Sequence, residues 1–177
     1  MWKGWRSYMK SKEKKMFPLF VDLTPKKVLV VGAGKIASRR VKTLLPFAGE
    51  VVVEAPEASE EILSLARQGE ILYKEKTYSR EDLYDADLVI AATDNKEVNE
   101  DIYSACKCLG IQVNVASDQN KCDFHFPGIL EYEGVVIGFN GSGKDHRKVR
   151  EVREKTQKVL LGDNMEVQDE ESHNRQP

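Results

Sequence analysis

The chain has 177 residues, 41% of them hydrophobic and 32% charged, and its 27 basic and 29 acidic residues leave a net charge of −2. That apolar content suffices for a buried core and excludes an intrinsically disordered chain. Apolar runs such as Val28–Val31 stop far short of the ~20 residues a membrane-spanning helix needs, and the balanced charge offers no global attraction to nucleic acid or lipid, so neither is expected as a partner. Cys106, Cys108 and Cys122 fit neither an even disulfide framework nor paired zinc ligands, which places the protein in a reducing compartment, the cytoplasm.

Residues 1–15 mix both tryptophans with Lys and Arg but carry no apolar h-region, so a flexible extension is expected there rather than a signal peptide. A regular grammar begins at Met16. Lys27–Val31 reads as a β-branched strand, and Gly32-Ala33-Gly34 turns into a helix with Ala37, Val41, Leu44 and Ala48 on one face. A second strand, Val51–Val53, precedes a helix capped by Ser59, with Glu60 and Glu61 in its first turn and Ile62, Leu65 and Ala66 inward. Ile71–Tyr78 predicts a third strand, Ser79 a short helix, Leu88–Ala92 a buried fourth strand, Val98, Ile102, Ala105 and Leu109 a helix stripe, and Ile111–Ala116 a fifth strand. Strands alternating with helices predict the Rossmann-type, doubly wound parallel α/β sheet.

After Ser117 the pattern changes. Phe124–Glu131 and Val135–Asn140 predict an antiparallel hairpin turning at Glu133-Gly134, and Lys144–Leu161 a helix striped by Val149, Val152, Thr156 and Val159 or Leu160. The expected organisation is therefore a cofactor-binding domain over 16–117, a dimerisation and substrate lobe over 118–161, and flexible tails over 1–15 and 162–177.

The strongest chemical signal is Gly32-Ala33-Gly34-Lys35-Ile36-Ala37, a G-x-G-x-x-A fingerprint between a strand and a helix. Gly32 permits the tight turn, Gly34 lets the backbone approach a pyrophosphate, Ala37 allows close helix packing, and the helix start at Lys35 and Ile36 supplies amides and positive dipole. Glu54 lies twenty residues beyond Gly34; either it or Glu57, across Pro56, is positioned to accept the ribose hydroxyls and to repel a 2′-phosphate, favouring NAD over NADP. Thr93, Asp94 and Asn95 end the fourth strand at the carboxyl edge of the sheet, where such folds hold ligands, although Thr93 and Asp94 also suit a helix cap. Gly138–Lys144 fits a P-loop except that Asp145 stands where Ser or Thr should bind magnesium. His125, His146, Cys122, Asp118 and Asp123 match no zinc spacing; no metal is expected, and Cys122 alternating with Phe124 and Phe126 suits a core strand.

Met16-Phe17-Pro18-Leu19-Phe20-Val21-Asp22-Leu23, the glycine turn, Ala91–Asn95 with Val98-Asn99, Asn114-Val115-Ala116 and Cys122–Pro127, in that order, resemble the precorrin-2 dehydrogenases, the dehydrogenase and ferrochelatase part of siroheme synthases. The resemblance runs from Met16 to Leu161. It implies NAD-dependent oxidation of precorrin-2 to sirohydrochlorin, a homodimer and, in bifunctional members, insertion of ferrous iron. Two departures stand out. Where the family often shows paired aspartates, the first its proposed catalytic residue, this chain has Ser117-Asp118, and the family's Ser-rich turn reads Asn140–His146 with little chain beyond the last helix. Asp118 is thus the candidate proton acceptor, with an Asp opening a turn as the alternative, and ferrochelation is expected to be weak or absent. Lys121, Lys144, Arg147, Lys148 and Arg150 are the cations available to a polycarboxylate substrate. The rival from another class is a non-catalytic NAD-binding regulatory module.

Overall fold

The computed structural model describes residues 16–141 and 145–162; the expected extension over 1–15 and the tail beyond Gly162 lie outside them. Two compact units divide the chain, one running from Leu19 to His125 and the other containing the segment from Phe126.

The first unit is built on five parallel strands, β1 (Lys27–Val31), β2 (Glu50–Ala55), β3 (Leu72–Glu75), β4 (Leu88–Ala91) and β5 (Gln112–Val115), in the order β3-β2-β1-β4-β5. Helices α1 (Lys35–Leu44), α2 (Glu60–Arg67) and α3 (Lys96–Leu109) make the crossovers, with 3₁₀ turns at Arg80–Leu83 and Gln119–Lys121. β1 and β4 are buried on both faces, which is why they read as unbroken Val, Leu, Ile and Ala. Leu29, Val31, Val52, Val89, Ala91, Val113 and Val115 on the strands meet Leu83, Ile102 and Cys106 in one core cluster. The Rossmann-type expectation holds.

The second unit contains the hairpin of β6 (Gly128–Tyr132) and β7 (Val135–Phe139) and helix α4 (His146–Leu161). Glu133 and Gly134 adopt φ of 49° and 76°, the two left-handed residues of a tight hairpin turn. Because β7, among the described residues, pairs antiparallel with β6 alone, Gly138–Gly141 does not follow a parallel strand as a P-loop must; residues 142–144 lie outside the described residues.

Three expectations need correction. β3 stops at Glu75 rather than Tyr78, because its partner β2 ends at Ala55 before Pro56, which has no N–H to offer. Cys122, Phe124 and Phe126 form no strand: Cys122 makes one isolated bridge to Asn114, and Asn114 Nδ2 donates to the Phe124 carbonyl at 2.7 Å. The stripe of α3 buries Asn99, Ile102, Ala105 and Cys106, leaving Leu109 46% exposed. Helix α4 forms as expected, and among the described residues it buries none of its side chains, with Val159 82% exposed.

Candidate functional site

The site grows from the end of β1. Val31 delivers the chain to Gly32 at φ +105°, and the Gly32 N–H donates to the Glu54 carbonyl at 2.8 Å. A Cβ at Gly32 would lie 2.5 Å from the Ala92 carbonyl oxygen, so conformation and space both require glycine. Gly34 is different. It is the N-cap of α1 in extended conformation, and a Cβ there would meet nothing within 4 Å. No side chain caps α1 and no acid occupies its first turn, so the amides at Lys35 and Ile36, at the positive end of the helix dipole, have no side-chain cap. This combination fits a pyrophosphate.

The loop after β2 lies against this turn. The Ser59 N–H donates to the Ala33 carbonyl at 3.0 Å, and the Ser59 and buried Ser38 hydroxyls share a hydrogen bond of 2.9 Å. Pro56 and Glu57, just before Ser59, are exposed. Glu54 is not: it is 1% exposed, and its Oε1 accepts from Lys74 Nζ on β3 at 3.0 Å. Of the two acids considered for the ribose, the exposed Glu57 therefore lies on the loop tied to the glycine turn, while the carboxylate of Glu54 is committed to the neighbouring strand.

The end of β4 closes the other side. The cap of α3 is Asn95, whose Oδ1 accepts from the Glu97 and Val98 amides at 2.9 and 3.2 Å; Thr93 and Asp94, read as possible caps, do not take that role. Thr93 is held instead by Asn99, a residue named in the sequence only as part of the Val98-Asn99 resemblance and given no role there, although a polar side chain on a buried helix face is a signal. Lys74, the partner of Glu54, was likewise unremarked.

Asp118 follows β5, which lies beyond β4 from the glycine turn. It caps the 3₁₀ turn, its Oδ1 accepting from the Asn120 N–H at 2.9 Å and its Oδ2 lying 3.8 Å from Lys121 Nζ. Lys121 also pairs with Glu100 and lies 5.8 Å from the centre of the Tyr103 ring. Among the other cations considered for a polycarboxylate, Lys148 pairs with Glu151 and Arg150 with Glu154, and Lys144 lies outside the described residues. The cysteines are free thiols, and burial pushes Cys106 up to about 11. Among the described residues no three His, Cys, Asp or Glu side chains gather to hold a metal ion.

The family described as "Putative NAD(P)-binding" matches residues 19–128, the whole of the glycine turn, β2 loop and β4 edge. The chain is 32% identical over 148 residues to the precorrin-2 dehydrogenase of Bacillus subtilis, covering 84% of this chain and 91% of that one. It belongs to the precorrin-2 dehydrogenase and siroheme synthase family. It is also 42% identical over 144 residues to the "Probable multifunctional siroheme biosynthesis protein HemA" of Ruminiclostridium josui, of which it spans 28%. The solved structure of SirC, a precorrin-2 dehydrogenase, superposes with a TM-score of 0.65 at 26% identity, covering 81% of this chain and 71% of that one. The chain thus spans under a third of the length of the siroheme biosynthesis protein and of the siroheme synthase of Mannheimia succiniciproducens (30%), but nearly all of the Bacillus enzyme. Its NAD(P)-binding domain is the part in which the glycine turn, the uncapped α1 and the Thr93–Asn95 edge converge.

Proposed function

We propose that this chain oxidises precorrin-2 to sirohydrochlorin with NAD⁺. The observation that carries the reading is the glycine turn pressed on Ala92 beside an uncapped helix start, in a chain that matches a precorrin-2 dehydrogenase over nearly its full length. Bound at the turn, the nicotinamide cofactor supplies the acceptor for the hydride that precorrin-2 loses. The amides of Lys35 and Ile36 hold the pyrophosphate, Thr93, Asp94 and Asn95 line the β4 side, and Asp118 takes the accompanying proton. Mixing the full chain with NAD⁺ and precorrin-2 under anaerobic conditions should give sirohydrochlorin absorbance and NADH together. NAD⁺ binding without either product would leave only the regulatory-module reading.

Asp118→Asn is a clean test of the proton acceptor, since an Asn Oδ1 still accepts from the Asn120 N–H and preserves the cap. Turnover should fall about 10²-fold while NAD⁺ affinity stays within about twofold. Parent-rate turnover would assign Asp118 to the turn alone.

Glu57 is proposed to read the ribose. With the Glu54 carboxylate paired to Lys74, Glu57 is the exposed acid on the loop tied to the glycine turn, so NAD⁺ should bind more tightly than NADP⁺, and Glu57→Ala should narrow the ratio about tenfold. Equal affinities in the parent would remove the assignment.

A homodimer through residues 118–161 is also proposed, because a two-stranded hairpin and one helix cannot bury enough apolar surface alone. Val152, Val159 and Leu161 of α4 and Val135 of β7 are large hydrophobics left exposed in the single chain. Light scattering at micromolar concentration should return twice the 20.1 kDa chain mass; a single chain mass would refute it. A cytoplasmic location is supported by the three free thiols, and no helix among the described residues is long and apolar enough to cross a membrane.

A further inference from the structure

Asn99 is 3% exposed on the inner face of α3, where the neighbouring buried positions are Ile102, Ala105 and Cys106. Its amide brackets a single residue. Oδ1 accepts from the Thr93 N–H at 3.2 Å and from the Thr93 hydroxyl at 2.8 Å, and Nδ2 donates to the Thr93 carbonyl at 2.9 Å. The sheet explains why. β4 pairs with β5 as far as Ala91 and Val115, and the strand-like bonds beyond that pair run from the Ala116 N–H to the Ala91 carbonyl at 2.9 Å and from the Ala92 N–H to the Val31 carbonyl at 2.8 Å. Thr93 has left the ladder, and the Asn99 amide, presenting one acceptor and one donor as a peptide does, serves as the missing strand partner.

The Ala92–Thr93 peptide is also the surface on which the glycine turn rests. A Cβ at Gly32 would fall 2.5 Å from the Ala92 oxygen and 3.0 Å from the Thr93 nitrogen. We propose that Asn99 is a positioning residue for the cofactor: by bracketing Thr93 it fixes the height of the Ala92–Thr93 peptide beneath Gly32 and so shapes the pyrophosphate cradle without touching the ligand. The inference rests on the NAD⁺ reading above and extends it to a residue one helical turn inside α3.

The test uses the full chain and NAD⁺. Asn99→Leu removes all three bonds, and Asn99→Asp keeps the acceptor while setting an oxygen against the Thr93 carbonyl. Both should raise the calorimetric Kd for NAD⁺ about tenfold, and the KM for NAD⁺ by a similar factor, with kcat on precorrin-2 kept within about twofold. Ile102→Val, a core truncation on the same helix, should lower the melting temperature but leave the NAD⁺ Kd within about twofold. Asn99 variants that bind NAD⁺ as the parent does, or an Ile102→Val loss of affinity equal to theirs, would overturn the proposal. If neither Asn99 variant folds, hydrogen exchange in the cofactor-free parent decides: the Thr93 amide should exchange at least about 10²-fold more slowly than in a free peptide, and exchange at the free-peptide rate would overturn it. A parent that binds NAD⁺ but leaves precorrin-2 unchanged removes the substrate reading and not this one; a parent without affinity for NAD⁺ removes both.

Discussion

Gly32→Ala is expected to cost the protein about 3 kcal/mol of stability and essentially all of its NAD⁺ affinity. The backbone at Gly32 has φ +105°, where an L side chain is strained, and the new methyl would meet the Ala92 carbonyl oxygen at 2.5 Å. Neither partner has room to give, because Gly32 is bonded to the Glu54 carbonyl and Ala92 to the Val31 carbonyl. A thermal melt should show a fall of roughly 10 °C. Gly34→Ala supplies the contrast. At φ −82° with nothing within 4 Å of its Cβ, it should melt with the parent, yet place a methyl before the amides of α1 and weaken NAD⁺ binding. A Gly32→Ala protein that melts and binds NAD⁺ as the parent does would show that the turn is not confined by β4.

Lys74→Met should be strongly destabilising although its side chain is half-exposed. Glu54 is 1% exposed, its Oε2 has no hydrogen-bond donor, and the donor to Oε1 is Lys74. Nearby, burial alone would raise the Asp82 carboxyl, but hydrogen bonds with Lys76, the Ser79 backbone and the Glu54 side chain hold it below its ordinary range. Removing the Lys74 ammonium strands a buried charge, at a cost of about 3 kcal/mol, the low end for such pairs because the Lys74 side chain is 41% exposed. Urea unfolding should show this loss, and Glu54→Met with Lys74→Met should recover most of it. A double variant as unstable as the single one would mean that Lys74 acts through packing of its stem and not through Glu54.

The sequence carried the fold a long way. The alternation of β-branched runs with amphipathic stripes identified the parallel sheet, since strand and helix periods are local properties of neighbouring residues. Gly32 and Gly34 marked the turn that ends β1 for the same reason, and Glu133-Gly134 the hairpin. Spacing was a poorer guide to side-chain partners. It left Glu54 and Glu57 as equals, although one faces Lys74 across a strand pair and the other stands on an exposed loop. It offered Thr93 and Asp94 as caps when Asn95 holds the amides of Glu97 and Val98. It read Lys121 as available to a substrate, whereas Glu100 on α3 and Asp118 take it up.

Composition, period and the glycine spacing by themselves determined a doubly wound sheet with a glycine turn at the end of its first strand, because each depends on residues within a turn or two of one another. Which acid remains free beside that turn, which residue braces the β4 edge, and whether Asp118 has a structural task besides any chemical one were decided only in the tertiary structure. Each of those outcomes turns on a partner brought in from another element: Lys74 lies 20 residues from Glu54, and Lys121 lies 21 from Glu100. A carboxylate or an amide changes its role when such a partner satisfies it in a buried place, and sequence spacing within one strand or helix holds no record of that partner.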